Sequence, residues 1–221
     1  MNWRDINATR VVVAVFGIVI GISGMNHGVY EILQGNTPTD SLIIMAIGEG
    51  QRMWEHGGEA AFTIIPNFLI TGILAVTTGI MVIVWSVFFI QKKYGRWILL
   101  LLFILLFLFG GGIAQLLFFA LILPVATRID KPLNWWRKVL KPSVRRGLAR
   151  LWIWVLIPGF LLGMLALVVA DTGFMPGVSD PDLILTINLS MVGAMLVLFL
   201  FASVAGFAHD IERLTSSDQN L

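Results

Sequence analysis

Residues 97–124, WILLLLFILLFLFGGGIAQLLFFALILP, run for 28 positions without a charged side chain. A helix needs about 20 apolar residues to cross the hydrocarbon of a bilayer, and a run this long has no place on the surface of a water-soluble domain. Comparable apolar stretches cover about 11–33, 62–90, 151–171 and 184–208. Of the 221 residues, 57% are hydrophobic and only 13% charged, too few charges to coat a soluble domain of this size. The predicted fold class is all-α: a polytopic helical membrane protein, a compact bundle of 4–5 transmembrane helices, with residues 1–221 as a single integral membrane domain. The first apolar stretch runs on toward Leu33 without a small-x-small cleavage site, which predicts an uncleaved first span.

Segment 97–124 decides the topology. It is either a fifth span or a re-entrant hairpin that turns at Gly110-Gly111-Gly112. Basic loops flank it on both sides, QKKYGR before and VATRIDKPLNWWRKVLKPSVRRGLAR after. A single crossing puts these loops on opposite sides and leaves ten Lys/Arg inside and five outside at best. The hairpin puts fourteen inside and leaves only Arg52 outside, the distribution that the positive-inside rule favours. Against the hairpin, its tip must find hydrogen-bond partners in protein or water, because lipid offers none, whereas a 28-residue helix can cross by tilting. Both arrangements stay open on the sequence.

The spans carry small-residue stripes. Gly17, Gly21, Gly24 and Gly28 share one face of the first; Asn67, Thr71, Ala75, Thr78 and Ser86 share one face of the second; Gly159, Gly163, Ala166 and Ala170 share one of the fourth. Lipid-embedded helices use such stripes for close approach, which predicts spans one, two and four in mutual contact. Trp85, Trp97, Trp135, Trp136, Trp152 and Trp154 lie near segment ends or in the basic loop, as an interfacial aromatic belt does.

Segment 125–150 holds eight of the fifteen Lys/Arg and is broken by Pro132 and Pro142. It reads as an interfacial cytoplasmic segment, retained there by its charge, with Arg128, Lys131, Trp135, Trp136, Arg137, Lys138, Lys141, Arg145 and Arg146 as candidate contacts for anionic lipid headgroups. Partners implied are the bilayer itself and a membrane-protein partner or a second copy of the chain. The charge pattern belongs to a membrane face and implies no nucleic acid. The outer loop 34–61 contains SLIIMAIG after Asp40, a residue type that caps helices. That run is too short to span and reads as a lid over the bundle mouth. His209-Asp210, with Glu212 and Arg213, reads as a polar helix end.

One stretch breaks the apolar logic. In GMNHGVYEILQGN, His27 and Glu31 stand one turn apart while the segment is still a span, His27 about 40° from the glycine stripe and Glu31 beside it. Ionisable groups inside a span face the bundle interior or a water-filled cavity. The nearest partner for Glu31 along the chain is His27. Glu55, His56 and Glu59, from GEGQRMWEHGGEAAF in the outer loop, complete a candidate ligand-binding cluster. A His and a Glu at i, i+4 can also ligate a single metal ion, with His27, Glu31 and His56 as the candidate ligands. No HExxH or P-loop pattern is present, and with no cysteine there is no thiolate site.

GMNHGVYEILQGNTPTD, AFTIIPNFLITGILA and GFAHDIERL resemble segments of small bacterial polytopic membrane proteins of unknown function. The resemblance implies an integral protein of the bacterial cytoplasmic membrane and brings no activity. Two function classes remain. One is a non-enzymatic binding, permeation or accessory component with a polar His/Glu cluster at the outer end of the bundle. The alternative is a small membrane-embedded metal-dependent enzyme acting on a lipid or other apolar substrate.

Overall fold

The computed structural model describes residues 6–218. Four of its helices are long and apolar enough to cross a membrane. They are α1 (Ala8–Leu33), α2 (Phe68–Val84) continued by a π-helical turn (Trp85–Phe89), α6 (Pro142–Thr172) and α7 (Pro181–Asp218). Their starts follow from local chemistry. The side chain of Asn7 accepts from the Arg10 N–H at 2.9 Å and that of Asn67 from the Ile70 N–H at 3.1 Å, each meeting a donor that the first turn leaves open. Pro142 opens α6, where its missing N–H costs nothing.

The segment 97–124 folds as a helical hairpin and not as one continuous helix. It forms α3 (Gly95–Leu108) and α4 (Gln115–Ala126), of 14 and 12 residues. At 1.5 Å per residue these are about 21 and 18 Å long, short of the roughly 30 Å of hydrocarbon. Phe103 and Phe119 stack across the pair with centroids 4.4 Å apart. The feet meet where Lys92, Lys93 and Arg96 line one pocket together with Asp130 and Lys131. The requirement for partners at the tip is met by protein. Gly110 N–H donates to Phe62 O at 3.0 Å, Gly111 N–H to Leu106 O at 2.8 Å, and the Thr71 hydroxyl to Phe109 O at 2.9 Å.

The outer loop is not helical at SLIIMAIG. Strand β1 (Ile43–Ile47) pairs antiparallel with β2 (Glu59–Phe62), Ile43 opposite Phe62 and Ile47 opposite Glu59, with an irregularity between Met45 and Ile47. A five-residue run dominated by Ile, with Ile44 and Ala46 buried and Ile43 and Met45 exposed, suits a pleated edge better than a short helix. The element covers the bundle mouth and also supplies the acceptor for the hairpin tip.

In the bundle, α1 packs on α2 along the predicted glycine face. Gly28 and Gly72 abut so closely that a methyl on Gly28 would lie 2.7 Å from Gly72 O, and one on Gly21 would lie 2.7 Å from Gly79 O. The small face of α6 meets α7 instead of α2: Gly159 lies against Leu198 and Gly163 against Met195, with Val19 of α1 only grazing it. The long antiparallel α6–α7 pair buries that stripe within itself. Large apolar side chains such as Ile80, Leu101, Leu117, Leu161, Leu165 and Val197 are turned outward, as lipid-facing surfaces are. Trp152 departs from the aromatic belt; it is 1% exposed and lies in the core against His209.

At the opposite end from the strands, Asp210 of α7 caps α1. Its carboxylate accepts from the N–H groups of Ala8 and Thr9 at 2.8 and 2.9 Å and from the Thr9 hydroxyl at 2.6 Å. Asn7 donates to Asp130 at 2.8 Å, and Arg145 pairs with Glu212. The short α5 (Asn134–Val139) lies at this end with Trp135 exposed and Trp136 against Phe207. Residues 142–150 belong to the first turns of α6, so only the first part of the basic segment forms a separate piece.

Candidate functional site

His27 and Glu31 look at the hairpin tip. A Cβ on Gly110 would collide with a Glu31 carboxyl oxygen, and one on Gly112 would lie 2.8 Å from the His27 ring. Both glycines have positive φ, 92° and 102°. The glycine triplet therefore answers two demands, a backbone that L side chains avoid and a surface on which two ionisable groups can lie flat.

The two side chains are not each other's partner. His27 Nε2 is 2.7 Å from Glu59 Oε2, and His27 Nδ1 has no hydrogen-bond partner among the described residues. Glu31 is completely buried, and neither of its oxygens has a partner among the described residues. Strand β2 brings Glu59 over the end of α1. Burial works to raise the Glu59 carboxyl, but the hydrogen bond and charge of His27 outweigh it and hold the group below the usual carboxylate range.

The remaining predicted members do not join. Glu55 is exposed, and His56 pairs with Asp182 at the start of α7, 2.9 Å away. Among the described residues no three His, Asp or Glu side chains stand together as a metal-ligand group, so His27, Glu31 and His56 are not assembled into one. The Arg and Lys side chains of the basic segment lie at the far end of the bundle, around the hairpin feet. There Arg96, Trp97, Arg128, Lys131, Trp135 and Trp136 border one hollow.

Sequence reasoning did not find the cavity. It has a volume of about 440 Å³ and is walled by α1, α4, α6 and α7 beneath the strand pair, within the range of small-molecule sites. Its polar end holds His27, Glu59, Gln115 and Asn188; its walls are apolar, including Phe118, Ala166, Leu167, Val192 and Met195. Gln115 is 1% exposed and donates its Nε2 to Gly111 O, which leaves Oε1 unpartnered. Asn188 is 7% exposed with Oδ1 unpartnered. A lone Asn in the run LILTINLSMV was the available signal, since an amide inside a span needs a reason. Above the cavity, the Trp54 indole N–H donates to Ala170 O at 2.7 Å, and Asn26 bonds Asp171 at 2.7 Å, closing α1 and the loop onto α6. Against known proteins the chain matches no family model, no curated protein and no solved structure.

Proposed function

We propose that this integral membrane protein is a binding component whose ligand occupies the cavity between α1, α4, α6 and α7. The observation that carries the reading is an apolar chamber of about 440 Å³ with its polar groups gathered at one end, several of them buried without partners. Native proteins leave few buried polar atoms unsatisfied, and a concentration of them around one cavity is what a bound molecule relieves. The enzymatic alternative needs a third ligand beside His27 and Glu59, and none stands there among the described residues. The membrane of this reading is a bacterial cytoplasmic one, as the resemblance noted in the sequence implies. In that setting the basic hairpin feet and α5 lie on the inner face against anionic headgroups, and the strand pair lies outside.

The test is recovery of the ligand. Protein purified in a mild detergent is denatured and the released small molecules are weighed by mass spectrometry. A near-stoichiometric species is expected from the parent and not from Ala166→Phe, which fills the chamber. Equal recovery from both would remove the cavity as the binding site.

A further inference from the structure

We infer that the cavity takes the head of an amphiphile bearing hydrogen-bond donors, hydroxyl or ammonium, whose chain leaves sideways between α4 and α7. The inference rests on the binding reading above and adds the chemistry and the route.

The head chemistry follows from what the cavity offers. The Gln115 amide is oriented by its bond to Gly111 O, so the end left for a ligand is an acceptor oxygen. Glu59 is an acceptor-only carboxylate. Asn188 Oδ1 adds a further acceptor from α7. A head that only accepts, such as an ester or ketone, leaves these atoms unmet, whereas hydroxyls or an ammonium meet them.

The route follows from the walls. Ile113 and Ala114 at the start of α4 and Leu189 of α7 line the cavity and are themselves exposed on the lipid-facing side. Further along the same two helices, Leu121, Ile122, Leu196 and Leu200 border a narrow apolar crevice. An acyl chain leaving the polar end past Ile113, Ala114 and Leu189 meets apolar side chains of α4 and α7 on its way into the bilayer.

The experiment compares three ligands with the same oleyl or oleoyl chain length on detergent-purified protein: monoolein, oleylamine and methyl oleate. At least one donor head is expected to bind about tenfold or more tightly than methyl oleate, the scale of one or two hydrogen bonds. A preference for monoolein identifies hydroxyls, and a preference for oleylamine an ammonium. Gln115→Leu and Asn188→Leu, on separate helices, should each reduce donor-head binding about fivefold or more and leave methyl oleate unchanged. Melting temperatures of both variants are read alongside, so that a fold defect in one leaves the other decisive. Methyl oleate binding as tightly as the donor heads, with all three abolished by Ala166→Phe, would overturn the head chemistry and keep the cavity. No saturable binding of any of the three would overturn both.

Discussion

The two ends of α1 each meet a buried carboxylate, and they treat it in opposite ways. At the start, Asp210 is 4% exposed and accepts three hydrogen bonds from Ala8 and Thr9. At the finish, Glu31 is 0% exposed, lies against Gly110, and accepts none among the described residues. The first carboxylate closes the bundle by answering N–H groups that a helix start cannot satisfy itself. The second sits at the tip of the helical hairpin, beside the cavity's polar end. A satisfied buried carboxyl group is explained by the fold, while an unsatisfied one asks for an explanation beyond it.

The largest effect is expected where the satisfied end is broken. Asp210→Ala strands two buried N–H groups and a hydroxyl and should lower stability by about 2–4 kcal/mol. Detergent-titrated unfolding measures it. Asp210→Asn, which keeps one acceptor oxygen, should lose roughly half as much. A loss from Asp210→Ala no larger than that of an exposed substitution would show that α1 is capped by other means.

At the opposite end, Gly110→Ala should cost about 2–3 kcal/mol, combining an unfavourable backbone at φ 92° with a methyl set against Glu31. The two causes separate in a double-mutant cycle. Glu31→Ala in the Gly110→Ala background should recover the steric part and leave the backbone part. Strict additivity would mean that the carboxylate and the tip are not in contact.

Much of this arrangement was written in the sequence, and the part that was not has a physical reason. The apolar runs and the α1–α2 glycine face are local or periodic signals, whereas the hairpin at Gly110–Gly112 was one of two open arrangements, favoured by the charge on the flanking loops but opposed by the needs of its tip. The placement of His27 was legible too, since an ionisable residue inside a span is a conspicuous cost. Its partner was not. Glu59 reaches His27 because β1 and β2 pair, and a strand register is a non-local fact that helical wheel arithmetic does not contain. The partner nearest in sequence, Glu31, lies one turn on and instead faces the hairpin. In the same way, the α6 stripe announced close packing without naming α7 as its recipient. The cavity needs four helices to exist before Gln115 and Asn188 acquire a common neighbour.

Because His27 is held by Glu59, Glu31 can be removed without stranding a partner. Glu31→Met, similar in length and apolar, should leave the fold intact and raise stability by about 1–2 kcal/mol, since an unsatisfied buried polar group is exchanged for packing. Thermal melting of parent and variant in one detergent gives the sign. A destabilised Glu31→Met would mean that the carboxyl has a partner in solution, such as an ordered water or a bound molecule, and would bring the two ends of α1 closer in kind.

The smallest expected effect concerns the contact between His27 and Glu59 that joins the strand pair to the polar end. Glu59 is held below its ordinary pKa of 4.5 by His27, so the folded state binds its proton less readily than the unfolded chain. The resulting stabilisation is present above about pH 4.5 and is lost as the pH falls through the depressed folded-state value. The Glu59 side chain is 39% exposed, and solvent screening limits the contribution to about 0.5 kcal/mol or less. Asp171 of α6 and Tyr30 of α1 lie within electrostatic reach of the same carboxylate, so the pair does not titrate in isolation. Melting temperature followed from pH 7 down to about pH 2 should therefore fall slightly more steeply for the parent than for Glu59→Gln below about pH 4.5, and the two curves should converge at the acid end. Parallel curves would mean that the 2.7 Å contact between His27 and Glu59 is a neutral hydrogen bond with no differential hold on the proton.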